Sequence, residues 1–169
     1  GTIHTVAVGM NTMEDELYRE IILDHWRSPR HHGEVAEPDV RIHGDNPLCG
    51  DEVLLTLRFD ADRVGDIAFS GHGCSISRAS ASMMCEQVSG HEIENAEELI
   101  GRFRAMMLEG GDADELDLGD LEALQGVARM PARIKCAVLP WNALREALHR
   151  RANGRGEVTT VTTELGDTL

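Results

Sequence analysis

With 169 residues, 41% of them hydrophobic, the chain has material for one compact domain with a substantial core, whereas two separate domains would each be small. Thirty acidic residues against sixteen basic ones leave a formal net charge of -14, which repels nucleic-acid phosphates and anionic membrane surfaces and suits a partner with a basic face, although most such charge serves solubility alone. No apolar run approaches the roughly 18–20 residues of a bilayer span and no charged-then-apolar leader opens the chain, so a soluble, cytoplasmic protein that binds neither nucleic acid nor membrane is expected.

Residues 1–12 show no clear periodicity and are expected to be a disordered lead or an expression remnant. From Met13 the apolar residues Leu17, Ile21 and Ile22 fall at helical spacing, with Thr12 as N-cap and acidic residues in the first turn. The spacing predicts a helix to about Arg27, ended by Ser28-Pro29. His31-His32-Gly33 follows. Adjacent side chains diverge on any regular backbone, so the two histidines read as a solvated loop rather than a ligand pair. A short edge strand is expected at 41–43, and residues 52–59 and 63–70, rich in Val, Leu, Ile and Phe, read as a hairpin around Asp60-Ala61-Asp62.

Between these strands stands Asn46-Pro47-Leu48-Cys49-Gly50-Asp51-Glu52-Val53, with a thiol and a carboxylate two residues apart. On an extended backbone Cys49 and Asp51 point to the same face and offer a metal both a soft sulfur and a hard oxygen. The second strand runs into Gly71-His72-Gly73-Cys74-Ser75 and then a predicted helix over 75–88. Cys74 therefore lies at a helix N-terminus, where partial positive charge favours a thiolate fit for a metal or for nucleophilic attack; a small buried residue at a tight turn is the competing reading. Cys85, eleven residues further on, is ~16 Å away along the same helix and belongs to the core.

Ser89-Gly90 ends that helix, and another is expected over 94–108 with Leu99, Phe103 and Met106 or Met107 on one side. The acidic, glycine-containing stretch 109–120 reads as a loop before a short helix near 121–127. Met130-Pro131-Ala132-Arg133-Ile134-Lys135-Cys136 then leads into a long amphipathic helix with Ile134, Val138, Leu139, Leu144 and Leu148 as core candidates. Pro131 suits the helix start, and Pro140 either kinks the helix or marks where its regular part begins. Arg133 and Lys135, the only lysine, put positive charge around Cys136 that favours its thiolate, unless they are simply solvated. Asn153-Gly154-Arg155-Gly156 breaks the helix, and residues 153–169 are expected to be a mobile tail.

Scattered thiols in a reducing compartment serve metal binding, catalysis or packing more often than disulfides. Cys49, Asp51, Cys74 and Cys136 would make a Cys3Asp set compatible with tetrahedral zinc, yet no paired CxxC knuckle supports it, and scattered structural cysteines remain open on spacing alone.

Three segments carry a resemblance. Asn46-Pro47-Leu48-Cys49-Gly50-Asp51, Gly71-His72-Gly73-Cys74-Ser75-Ile76-Ser77, and Arg133-Ile134-Lys135-Cys136-Ala137 followed by Leu139 and Trp141 resemble the three cysteine motifs of the SufU branch of the IscU/NifU-like family. The resemblance covers about residues 13–152. Lys135 stands where IscU-type proteins carry a histidine, and residues 90–125 look like a SufU-type helical insertion. It implies an α+β fold with a small antiparallel sheet of about three strands packed against several helices, as a single domain over 13–152. It also implies zinc on Cys49, Asp51, Cys74 and Cys136, and a sulfurtransferase activity in iron-sulfur cluster assembly that takes persulfide sulfur from a SufS-type cysteine desulfurase and passes it to a downstream scaffold.

On that reading Cys49 accepts the sulfur, leaving the zinc as the desulfurase supplies a replacement ligand. Asp51, Cys74 and Cys136 retain the metal, and Arg133, with Lys135 beside it, orients the site or meets the partner. Two alternatives stand beside it: a scaffold that assembles a labile [2Fe-2S] cluster, or binds iron, on the same thiols, and a zinc-stabilised interaction module without chemistry of its own.

Overall fold

Alternating burial builds the sheet. In β1 (Val40–Asn46) every second residue is buried, and β2 (Asp51–Asp60) and β3 (Arg63–Ser70) join it antiparallel, with Val40 opposite Leu57, Asn46 opposite Asp51 and Leu54 opposite Ser70. The computed structural model describes residues 2–47, 49–152 and 159–162, with the side chains of 15–47, 49–113 and 115–152. β4 (Thr159–Thr162) pairs parallel with β1, and the strand order is β3-β2-β1-β4.

Two expectations change here. The strand expected at 41–43 runs on to Asn46 and lies inside the sheet rather than at its edge. The stretch 153–169, expected as a tail, contains a strand at 159–162, and the rest of it lies outside the described residues. The physical reason is shared: β1 alone would present a row of unpaired N–H and C=O groups, and a Thr/Val run of high strand propensity supplies their partners.

The first helix, α1 (Thr2–Arg27), begins well before residue 13, so residues 2–12 are helical where a disordered lead was expected, and Thr12 lies within the helix rather than capping it. Once a helix exists each further residue adds a hydrogen bond, and a single interruption such as Gly9 costs only about 1 kcal/mol. Leu17, expected on the core face, is 60% exposed, while Ile21 and Ile22 pack against the core.

The remaining helices are α2 (Ser75–Val88), α3 (Ile93–Leu108), the single turn α4 (Ala113–Leu116) and α5 (Pro131–Ala152), with a 3-10 segment at Gly119–Arg129. The stretch 109–120 is thus not wholly loop. The 3-10 form replaces the short helix expected at 121–127 for a visible reason: Leu118, Leu121, Leu124 and Val127, all buried, recur every third residue, the period at which 3-10 side chains eclipse. Pro140 sits inside α5, which continues through it to Ala152.

α2 and α5 pack on one another and α5 covers β1 and β2. α2 can approach closely because it buries mostly small residues, among them Ser77, Ala79, Ser80, Ala81 and Ser82. Trp141 of α5 stacks on Phe103 of α3 with centroids 4.4 Å apart and donates its indole N–H to Ser80 Oγ at 3.0 Å, while Ser80 Oγ donates to the Ala137 carbonyl at 2.6 Å. These bonds set the register of α5 against α2 one residue beyond Cys136. His31 and His32 are exposed but not free: the Gly33 amide donates to the Phe69 carbonyl at 2.7 Å and the Phe69 amide to the His31 carbonyl at 2.9 Å, so this loop covers the outer edge of β3. The fold is α+β, with a three-stranded antiparallel core sheet against several helices. No helix among the described residues is long and apolar enough to cross a membrane.

Candidate metal centre

Because β1 ends at Asn46 and β2 starts at Asp51, opposite one another in register, residues 47–50 are the tip of a β-hairpin. Cys49 rides on that tip. The amides of Cys49 and Gly50 both donate to the Asn46 carbonyl, at 3.2 and 2.9 Å, and Gly50 has φ +71, so the chain turns here instead of running extended. The shared-face argument for Cys49 and Asp51 therefore fails on backbone geometry. The tight turn brings them together instead: a Cys49 sulfur, an Asp51 oxygen and the Cys136 sulfur all lie within 4.8 Å of one another. Cys49 is exposed; Asp51 and Cys136 are buried.

Cys74 occupies the N-cap of α2, which no side-chain oxygen caps. Its amide donates to Asp51 Oδ1 at 2.9 Å, and its sulfur lies 3.6 Å from Asp51 Oδ2 and 3.9 Å from Ser77 Oγ. Cys74 thus borders the group of three through Asp51 and Cys136. Cys136 Sγ lies 3.6 Å from Cys49 Sγ, far beyond a disulfide bond, and all four cysteines are free thiols.

The thiols are electrostatically unequal. A hydrogen bond from Cys136 pulls the Cys74 thiol down to about 6; the Ser77 and Ile76 amides at the head of α2 act in the same direction, against burial and the negative charge of Asp51. Donating that hydrogen bond, with burial added, pushes the Cys136 thiol up. The Cys74 thiolate in turn raises the Arg133 guanidinium, which also hydrogen-bonds with Cys136. One proton is held between two sulfurs beside a solvent-exposed cation. Lys135 is half-buried on α5, and among the described residues no hydrogen bond or ion pair ties it to the thiols. Cys85 is fully buried in α2, and burial raises its thiol far from any reactive range.

The donor set fits a zinc ion. Zn–S bonds of about 2.3 Å place tetrahedral sulfurs roughly 3.8 Å apart, close to the 3.6 Å separating Cys49 from Cys136. Asp51, 1% exposed and already tied through Oδ1, keeps Oδ2 toward Cys74.

Two residues shape this geometry without having been singled out for it in the sequence. Ser77 donates to the Cys74 carbonyl at 3.1 Å, the bond a serine makes back to the residue three before it in the first turn of a helix. Gly73 is demanded by proximity: a Cβ there would lie 2.8 Å from Asp51 Oδ1 and 2.6 Å from Ser77 Oγ. Nothing in the local pattern signals the Gly73 requirement, because the colliding carboxylate comes from another strand.

The chain matches the NifU-like N terminal domain over residues 17–152. It is 45% identical over 147 residues to the zinc-dependent sulfurtransferase SufU of Bacillus subtilis, covering 87% of this chain and 99% of that protein. It is 43% identical over 141 residues to the iron-sulfur cluster assembly scaffold protein IscU of Streptococcus pyogenes, covering 83% and 88%. A crystal structure of a putative iron-sulfur cluster assembly scaffold protein for the SUF system from Fervidobacterium islandicum superposes with a TM-score of 0.72 at 37% identity, covering 76% of this chain and 94% of that one. With the family profile and both relatives spanning most of its length, the chain belongs to the NifU-like N-terminal domain family, the family of SufU and the IscU-type iron-sulfur cluster assembly scaffolds.

Proposed function

We propose that this protein is a zinc-dependent sulfurtransferase of the cytoplasm that accepts persulfide sulfur from a SufS-type cysteine desulfurase and hands it to an iron-sulfur scaffold. The observation that carries this reading is the asymmetry of the donor group: Cys49 is exposed at a hairpin tip, while Asp51 and Cys136, within 4.8 Å of it, are buried. Cys49, Asp51, Cys74 and Cys136 would hold zinc, which when bound lowers the thiol pKa and shields the sulfur from oxidation. The similarity to the Bacillus subtilis sulfurtransferase supports the same assignment.

In the transfer the Cys49 thiolate attacks the terminal sulfur of the donor's cysteine persulfide. A bond forms between Cys49 Sγ and that sulfur, the donor's S–S bond breaks, and the donor cysteine departs as a thiolate. No net oxidation occurs, since a persulfide is consumed and a persulfide is made. Arg133, exposed and beside Cys74 and Cys136, is placed to steady anionic sulfur during the exchange and to face the partner.

Cys49→Ala is expected to abolish sulfur acceptance and stimulation of the desulfurase while the fold, checked by circular dichroism, is kept. Full transfer by this variant would overturn the assignment. A scaffold function is the second reading, favoured by the similarity to the Streptococcus pyogenes scaffold and by thiolate donors that suit iron as well. Protein purified without oxygen separates the two: tight zinc without acid-labile sulfide belongs to transfer, and acid-labile sulfide with iron belongs to the scaffold.

A further inference from the structure

A second group of ligating side chains lies away from the thiols. His25 on α1, Glu86 on α2 and Asp120 at the start of the 3-10 segment bring one nitrogen and two carboxylate oxygens within 4.8 Å of one another. Glu86 follows Cys74 by twelve residues on α2, about 18 Å along the helix, so the two groups cannot share an ion. We propose that His25, Glu86 and Asp120 form a second divalent-cation site, selective for imidazole-binding transition ions such as Zn2+.

The arrangement of His25 is the main argument. Its ring is buried, at 1% exposure, although the carboxylates it faces are open to water: Asp120 Oδ2 lies 3.5 Å from its Nε2, and the Asp120 and Glu86 side chains are 57% and 46% exposed. Nδ1 lies 2.8 Å from Ser82 Oγ, and the same hydroxyl oxygen accepts the Arg30 amide at 2.8 Å. A hydroxyl has one proton and two lone pairs. With the Arg30 amide in one lone pair, Ser82 can either give its proton to Nδ1 or take a proton from it. In the first case Nε2 carries hydrogen and faces Asp120 as a donor; in the second, Nε2 turns a lone pair toward two carboxylates, the arrangement that binds a metal cation when one is present. Ser82 keeps its bond to Nδ1 in both states, and a metal-binding histidine needs such a partner behind its other nitrogen.

The competitor for Glu86 is Arg30, whose Nε lies 3.6 Å from Glu86 Oε2. Arg30 is held more closely elsewhere, with Nη2 2.7 Å from Asp24 Oδ2, so Glu86 can turn to an ion while Arg30 keeps a partner. A nitrogen with two carboxylate oxygens suits Zn2+ and related ions better than Mg2+ or Ca2+, and exposure leaves room for water to complete the coordination. An ion there would tie α1, α2 and the 3-10 segment together.

The test is a calorimetric titration with Zn2+ of protein whose thiol centre is already saturated, next to Asp120→Asn, Glu86→Gln and the double variant. Both side chains are at the surface, so the variants keep the fold. One further Zn2+ equivalent is expected for the intact chain, weakened about tenfold or more by either substitution and lost in the double variant, while the metal held by the thiols is unchanged. Nitrogen NMR of the His25 ring should show Nε2 shifting on Zn2+ addition, with the proton on Nδ1. Absence of a further equivalent, a further equivalent indifferent to the double variant, or an unmoved His25 Nε2 would each overturn the proposal. None of these outcomes depends on whether the thiol centre transfers sulfur, so the two proposals fail separately.

Discussion

Cys49 and Asp51 are two residues apart in the chain and stand in opposite surroundings. Cys49 is exposed at the hairpin tip, held by amides that bond to the Asn46 carbonyl. Asp51 is 1% exposed at the first position of β2, takes the Cys74 amide on Oδ1 and abuts Gly73. Withdrawing Cys49 from a metal returns a thiol to water, which costs little. Withdrawing Asp51 would strand a buried carboxylate, a penalty of several kcal/mol. Burial alone therefore divides the donor group into one thiol open to water and two donors, Asp51 and Cys136, closed to it.

The strongest way to break this contrast is Asp51→Ala. Loss of a hydrogen-bonding partner behind a ligand costs about 10–100-fold in metal affinity, so loss of this carboxylate itself should exceed ~100-fold in zinc affinity, measured by chelator competition. The Cys74 amide would also lose its acceptor, at about 1–3 kcal/mol of stability in chemical denaturation.

The two glycines of the centre sharpen the contrast from either side. Gly73→Ala pushes a methyl group into Asp51 and Ser77 and should weaken zinc by about tenfold through displacement of Asp51. Gly50→Ala meets nothing within 4 Å and strains only the backbone at φ +71, so about 1–2 kcal/mol of stability is lost while zinc affinity changes less than in Gly73→Ala. A larger zinc defect in Gly50→Ala would place the rigid part of the centre at the hairpin tip.

The metal-free protein offers a pH test of the two thiols behind Cys49, half-buried Cys74 and buried Cys136. The Cys74 thiol falls from its ordinary 9.0 to about 6, so between about pH 6 and 9 the unfolded chain holds a proton that the native site has released, and stability rises with pH. Cys136 is shifted the other way, so above 9.0 the native site keeps a proton that the unfolded chain loses, and stability falls. A maximum near pH 9 in the melting temperature, absent in Cys74→Ser, is the expected result.

Cys85→Ala gives the smallest effect. This thiol shares α2 with Cys74 but is fully buried and touches no ligand, so about 1 kcal/mol of packing should be lost with no change in zinc affinity.

Much of this was legible from residue order. The helix over Ser75–Val88 has the bounds that Gly73 before it and Ser89-Gly90 after it announce, and Arg63–Ser70 is the strand its apolar run predicts. Helical rise alone separated Cys85 from the site of Cys74, and its assignment to the core holds, at 0% exposure. Other features were hidden for definite reasons. β1 extends to Asn46 through Gly44 and Asp45, residues of low strand propensity, because pairing with β2 and β4 overrides local preference; only that extension turns the 47–50 stretch into a hairpin tip. The 3-10 segment escaped because a period of three is easily mistaken for an interrupted helical one.

By itself the sequence determined the chemistry on offer: three thiols, a carboxylate and a cationic approach to Cys136, each placed at the start of a recognisable element. Tertiary structure decided which of them meet and which stay dry. The α2–α5 contact through Ser80, Ala137 and Trp141 carries Cys136 to a cysteine 87 positions earlier, and the depth of β2 buries Asp51 while the turn leaves Cys49 in water. Local preference reaches only a few residues along the chain, whereas the exposure that separates Cys49 from Asp51 is a property of the packed whole.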